Sequence, residues 1–163
     1  PVFRKIMAAC SSLDAQLVLS LGKWNEEETS VRETLGEIPT NALVVDYAPQ
    51  LAILERAAML ITHAGINTVM ESLRHGVPMV SLPRNADQPG MAARIEFAGA
   101  GLGAPATRCS QTQLRSLIER VLREKPFRQR AAELQRSSVT AGGAPRAAEI
   151  VEQAIVTKRP VMH

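Results

Sequence analysis

Aromatic residues are scarce in this sequence: Phe, Trp and Tyr together make up 3% of its 163 residues. A nucleic-acid-binding surface combines clustered basic residues with aromatic side chains, so this scarcity argues against such a partner. The formal net charge of +3 is also dispersed. In the densest basic stretch, Arg115 to Arg130, Glu119 and Glu124 are interleaved, as on a solvated helix face. We expect no nucleic-acid partner, and attraction to an anionic membrane surface stays an open alternative.

Cysteines and long apolar runs are scarce as well. Cys10 and Cys109 are far apart, with no CxxC motif or nearby histidine pair, so we predict ordinary thiols and neither a disulfide framework nor a metal site. No apolar run approaches the ~20 residues of a membrane span. The first residues also lack the zones of a signal peptide. We therefore expect a soluble, cytoplasmic protein, with peripheral membrane association left open.

Apolar periodicity predicts a single α/β domain over residues 1–163, with 45% hydrophobic and 21% charged residues. Short apolar runs predict strands at 15–22 and 42–45, and the polar stretch 23–40 is predicted to be a loop. Helical spacing predicts an opening helix whose buried stripe comprises Phe3, Ile6, Met7, Cys10 and Leu13. A further helix is predicted to open at Pro49.

Residues 58–83 are typical of a βαβ unit, in which a strand is followed by a glycine turn, a helix, a glycine stop and a second strand. Because strands and helices alternate, the predicted fold is a Rossmann-like, doubly wound parallel sheet. The predicted apolar stripe of the helix comprises Ile66, Val69, Met70 and Leu73. After it we predict a helix at about 88–98, an extended segment near 102–106 and three closing helices. The first closing helix has a Ser110–Gln113 capping pair.

The turn inside the βαβ unit is a candidate phosphate site. Backbone N–H groups around Gly65 would point from a helix N-terminus into the crevice at the carboxyl end of the strand, where His63, Asn67 and Thr68 add side-chain donors. Purely structural roles would explain the same residues. Gly65 would form the turn, Asn67 or Thr68 would cap the helix, and His63 would be a core residue. Thr68 and Glu71 also have capping-box spacing, although a helix starting at Gly65 places Glu71 too deep to cap.

Asp87 and Gln88 follow the next strand, again at the carboxyl edge of the predicted sheet. Asp87 has the position of an N-cap residue, which would make it structural. A carboxylate beside an amide could equally bind adjacent sugar hydroxyls, and ligands bind in loops at this edge. Spacing alone leaves both interpretations open.

The stretch from Val44 to Gly101 resembles the signature region of the UDP-sugar-dependent inverting glycosyltransferases of GT-B fold. The motifs occur in the family's order: APQ, THAG followed by Asn67 and Glu71, GVP, and DQP. The flanks resemble the carotenoid branch, that of the zeaxanthin glucosyltransferases. The resemblance implies that the chain is a C-terminal donor-binding domain for a UDP-sugar, with glucose suggested by the DQ pair.

The resemblance also implies roles for individual residues. Uracil and ribose would be held by Tyr47, Ala48, Pro49 and Gln50, the diphosphate by His63, Ala64, Gly65, Asn67 and Thr68, the ribose hydroxyls by Glu71, and the sugar hydroxyls by Asp87 and Gln88. Tyr47 replaces a tryptophan of many plant members, and Ala64 replaces a second glycine. The family needs no metal, and no cofactor is expected, since the UDP-sugar is a co-substrate.

In the family, a histidine of an N-terminal domain acts as general base, and the same domain forms the pocket for the acceptor, here a small hydrophobic molecule such as a carotenoid. We predict no catalytic residue in this chain, because neither His75 nor His163 has the position of that base. The resemblance further implies a strand before the first helix. The chain is therefore expected to be a fragment or one chain of a split enzyme; a UDP-sugar epimerase of the same architecture is the remaining alternative.

Overall fold

The computed structural model describes residues 2–22 and 35–161. The helices are α1 (Val2–Cys10), α2 (Gln50–Leu54), α3 (Ile66–Arg74), α4 (Gln88–Phe97), α5 (Gln111–Arg123), α6 (Lys125–Thr140) and α7 (Gly143–Thr157). The strands are β1 (Leu17–Ser20), β2 (Ala42–Val45), β3 (Leu60–Thr62), β4 (Met79–Ser81) and β5 (Gly101–Gly103). The predicted alternation of strands and helices is confirmed. Most of the predicted 23–40 loop, and His163, lie outside the described residues.

Every strand pair in the described part of the chain is parallel, as predicted. β1 pairs with β2 from Leu17 opposite Ala42, and β4 lies between β3 and β5. The five strands thus form two parallel groups, β1-β2 and β3-β4-β5. The outer strands of the two groups, β1, β2, β3 and β5, each keep one edge without a partner among the described strands. The strand expected before α1 stays a prediction.

The main hydrophobic core joins the two groups of strands through α1 and α5. Leu17 of β1, Ile61 of β3 and Val80 of β4 pack in one cluster with Ile6 of α1 and Ile118 of α5. Both cysteines are buried in this cluster, as free thiols, and burial raises the pKa of each thiol above its ordinary value. The prediction of ordinary thiols is confirmed for both.

Helix α5 agrees closely with the sequence. The Ser110 hydroxyl accepts a hydrogen bond from the Gln113 backbone N–H at 3.1 Å, which confirms the predicted cap. On the polar face, Arg115 pairs with Glu119 at 2.6 Å and Arg120 with Glu124 at 2.8 Å. The hydrogen bond from Arg115 lowers the pKa of the Glu119 carboxyl. The predicted interleaving of basic and acidic residues thus gives ion pairs along α5, whereas Lys125 to Arg130 belong to α6.

Two predicted apolar stripes are buried less than expected. In α3, Val69 is buried, but Ile66 and Met70 are each 51% exposed, so the predicted inward stripe is wrong at these two positions. In α7, the last of the predicted closing helices, apolar periodicity places Val151 and Ile155 on one face, and both are exposed. The cause is the same in both helices: periodicity defines an apolar face but not which neighbour covers it.

Candidate functional site

The turn between β3 and α3 is tight and locally held. The Thr62 hydroxyl accepts a hydrogen bond from the Ala64 backbone N–H at 3.1 Å. Ala64 is buried and has φ of +69°, a left-handed conformation that glycine adopts more easily than alanine. The departure from the family's second glycine is thus accommodated in a strained turn. This turn places His63 and Gly65 at the carboxyl end of β3.

His63 lies across the start of α3. Its side chain is exposed, so the alternative of a core histidine is wrong. A Cβ atom added to Gly65 would come within 2.7 Å of His63 Nε2, which shows how closely the imidazole ring approaches the backbone of the turn. Gly65 therefore leaves the space that the His63 ring occupies, which a Cβ atom at this position would take up.

The N-terminus of α3 is suited to an anion. Its N-cap residue is Gly65, which has no side chain with which to cap, and its first turn contains no acidic residue. The first N–H groups of a helix have no intrahelical partner, and the helix dipole adds partial positive charge there. Asn67 is exposed beside them and Thr68 is half-buried. Because the helix begins at Ile66, Thr68 is its third residue, so the Thr68–Glu71 capping box is ruled out.

Glu71 and Gln50 meet at the junction of α2 and α3. The Gln50 side-chain amide donates a hydrogen bond to the Glu71 carboxylate, although the residues are 21 positions apart in sequence. Pro49 is the N-cap residue of α2, as the predicted helix start requires. Tyr47, in the preceding loop, is 68% exposed, so its ring has a free face for stacking. The two residues predicted to face a ribose are thus side by side.

Asp87 and Gln88 begin α4, at the carboxyl side of β4. Asp87 is the N-cap residue, but among the described residues its carboxylate accepts no capping hydrogen bond from α4. It is exposed and available to a ligand. The side-chain oxygen of Gln88, Oε1, in contrast accepts hydrogen bonds from the backbone N–H groups of Arg84 and Asn85. The N-cap interpretation of Asp87 therefore explains its position but not its free carboxylate.

Sequence reasoning missed three residues that shape the site. Thr62 holds the β3–α3 turn, while Arg84 and Asn85 anchor the Gln88 side chain. A hydroxyl residue two positions before Ala64 is a weak sequence signal for the role of Thr62. No sequence signal predicts the loop conformation in which the N–H groups of Arg84 and Asn85 bind the Gln88 side chain. The described residues contain no cluster of three or more His, Cys, Asp and Glu side chains suited to a metal ion.

Parallel strands, a helix N-terminus without a capping side chain beside a histidine, and polar residues at the next strand end form an arrangement suited to an anionic ligand at the carboxyl edge of the sheet. Comparison with known families identifies the class of protein. Residues 4–156 match the family model of the erythromycin biosynthesis protein CIII-like C-terminal domain. The chain belongs to this family, and thereby to the UDP-glycosyltransferases.

Individual relatives extend this comparison. The zeaxanthin glucosyltransferase of Pantoea ananas is 37% identical over 99% of this chain and 36% of its own length. A UDP-glucosyltransferase of Bacillus subtilis (strain 168) is 34% identical over 96% of the chain and 37% of its own length. The crystal structure of the glycosyltransferase of kitacinnamycin superposes with a TM-score of 0.80 and 30% identity, over 94% of this chain and 38% of that one.

The chain thus spans little more than a third of the length of these relatives. In GT-B enzymes the C-terminal half is the Rossmann-like domain, and this is the half that the chain matches. No helix within residues 2–22 and 35–161 combines the length and apolar character of a membrane span.

Proposed function

We propose that this domain binds UDP-glucose as the donor for inverting transfer of the glucosyl group to a hydroxyl of a small lipophilic acceptor. The catalytic base and the acceptor pocket would belong to an N-terminal domain of the same enzyme. This chain by itself would bind the donor and stabilise the departing UDP, and it would be catalytically incomplete.

The observation that carries the proposal is the free N-terminus of α3 beside the exposed His63. In the transfer, the bond between the anomeric carbon and the β-phosphate oxygen breaks, and negative charge develops on that oxygen. Preorganised N–H groups and an imidazole N–H stabilise such charge. That this domain needs no metal ion stays a prediction.

The positions of the other predicted residues support the proposal. The Gln50–Glu71 pair lies next to the anion site along α3 and offers a carboxylate to the ribose hydroxyls. Asp87 lies beyond the neighbouring strand and offers a carboxylate to the sugar. Tyr47 offers its exposed ring to the base. The glucose and the carotenoid acceptor are supported by the similarity to the zeaxanthin glucosyltransferase.

Calorimetric titration of the chain with UDP and UDP-glucose tests the proposal. We expect saturable binding of both, and a dissociation constant raised by about tenfold or more in His63→Ala, because a charge-assisted hydrogen bond to phosphate is lost. His75→Ala is the matched control: His75 lies at the opposite end of the same helix, where its ring contacts the Glu71 carbonyl oxygen. It should bind both ligands as the unmodified chain does.

Two results would contradict the proposal. One is the absence of binding of either nucleotide by the unmodified chain. The other is equal affinity of His63→Ala and the unmodified chain for UDP, which would leave the α3 turn without a ligand role.

A further inference from the structure

The loop between β4 and α4 is folded around the Gln88 side chain. The Gln88 Oε1 atom accepts a hydrogen bond from the Arg84 N–H at 2.9 Å and a second from the Asn85 N–H at 3.3 Å. Residues 84–87 are exposed, whereas Gln88 is half-buried. The loop therefore has little packing of its own. The two bonds to the Gln88 side chain, together with a backbone hydrogen bond from the Gln88 N–H to the Asn85 carbonyl oxygen at 3.2 Å, close it onto the start of α4.

The loop also contains a strained residue. Ala86 has φ of +54°, a left-handed conformation unfavourable for a residue with a Cβ atom. Such strain persists only where surrounding interactions hold it in place. Ala86 lies between the two N–H donors and Asp87, so the Gln88 bonds hold the segment that sets the direction of the Asp87 carboxylate.

The chemistry of the Gln88 amide limits what else it can do. A side-chain amide has one oxygen with two lone pairs and one NH2 group with two donors. Both lone pairs are used by the loop, so only the NH2 group remains for a ligand. The site then offers one acceptor, Asp87, and one donor, Gln88 Nε2, to adjacent hydroxyls of a sugar.

From this geometry we propose that Gln88 is a positioning residue, which holds the 84–87 loop and thereby aims the Asp87 carboxylate at the sugar of the donor. The proposal rests on the proposed function of this site as a UDP-sugar site. It adds that Gln88 and Asp87 act as one unit rather than as two independent contacts.

A double-mutant cycle tests this coupling. The measured quantity is the ratio of dissociation constants for UDP and UDP-glucose, which isolates the contribution of the sugar, in Asp87→Asn, Gln88→Ala and the double variant. If Gln88 aims Asp87, Asp87→Asn lowers the ratio by about tenfold in the unmodified chain but by less than about twofold in the Gln88→Ala background, since coupled residues are non-additive.

Water–amide exchange measured by NMR provides a readout that needs no ligand. Exchange at the Arg84 and Asn85 N–H groups should be faster in Gln88→Ala than in the unmodified chain. Gln88→Glu keeps acceptor oxygens and should restore slow exchange. Gln129→Ala is the matched control, because Gln129 is an exposed glutamine near the opposite end of α4, beside Phe97. This variant should change neither the exchange rates nor the ratio of dissociation constants.

Additive effects of Asp87→Asn and Gln88→Ala would overturn the proposal and leave two independent sugar contacts. Unchanged exchange in Gln88→Ala would overturn it as well. If the unmodified chain binds no nucleotide while the exchange results hold, the proposed function fails and Gln88 has only a structural role in the loop.

Discussion

At the scale of single residues, the site depends on the absence of one carbon atom. Gly65 has φ of −66°, so its backbone conformation is open to any residue. The position therefore does not need glycine for its backbone conformation. It needs glycine because the His63 ring occupies the space that a Cβ atom would take.

Gly65→Ala should therefore separate binding from stability. The added methyl group meets the end of a side chain that can swing away, so the free energy of unfolding should stay within about 1 kcal/mol of the original value. The dissociation constant for UDP should rise by about tenfold, because the displaced imidazole no longer reaches the phosphate. Chemical denaturation and calorimetry give the two quantities.

Gly90→Ala is the control for this substitution. Gly90 lies within α4, and a Cβ atom there would meet nothing within 4 Å. Gly90 is the third residue of this helix, and alanine there should raise stability by up to about 1 kcal/mol, because it restricts the unfolded chain, and should leave UDP affinity unchanged. A fall in UDP affinity equal to that of Gly65→Ala would contradict the role assigned to His63.

At the scale of secondary-structure elements, one side chain connects the first helix to α5. The Arg115 guanidinium donates hydrogen bonds to the Ala9 carbonyl oxygen and the Ser12 hydroxyl, each at 2.9 Å, besides its pair with Glu119. Ala9 and Ser12 lie at and just beyond the end of α1, where carbonyl groups lack intrahelical partners. Arg115 therefore caps α1 from another helix.

Arg115→Ala should lower the free energy of unfolding by about 1–2 kcal/mol, the effect of losing charge-assisted hydrogen bonds to a helix end. Arg120→Ala removes a pair of the same spacing that lies on the exposed face of α5, and its midpoint of thermal unfolding should match that of the unmodified chain. Equal midpoints for Arg115→Ala and Arg120→Ala would show that the contact with α1 contributes nothing.

At the scale of the whole molecule, stability is concentrated in the core between α1, α5 and the strands. α7 lies outside it, and its 15 residues include no buried side chain. Isolated helices of this length are marginal in water, so α7 depends on contacts at its half-buried side. Its outer apolar face, which includes Val151 and Ile155, is exposed.

Two isoleucines test this distribution. Ile118 is 1% exposed in the main core and Ile155 is 69% exposed on α7. Ile118→Ala should cost about 2–5 kcal/mol of unfolding free energy, because it leaves a cavity. Ile155→Ala should change it by less than about 0.5 kcal/mol. Comparable losses, measured by urea denaturation, would mean that α7 belongs to the same core.

Local patterns were sufficient for much of this architecture. Periodicity and capping chemistry act between residues a few positions apart, and they were enough to predict the strand at Ala42–Val45, the helix after Pro49 and the Ser110 cap. The ordered motifs from Val44 to Gly101 were sufficient for the family. These features could be predicted because neighbours in sequence determine them.

Only the tertiary structure decided which apolar and polar groups have partners. It exposed His63, Ile66 and Met70, placed Gln50 against Glu71, and turned the Gln88 oxygen toward its own loop. The sequence by itself determined the order of the elements, the helix starts and the residue types at the ends of the strands. Burial and long-range hydrogen bonds depend on surfaces contributed by segments far apart in the chain. A pattern of residues along one segment therefore cannot predict them.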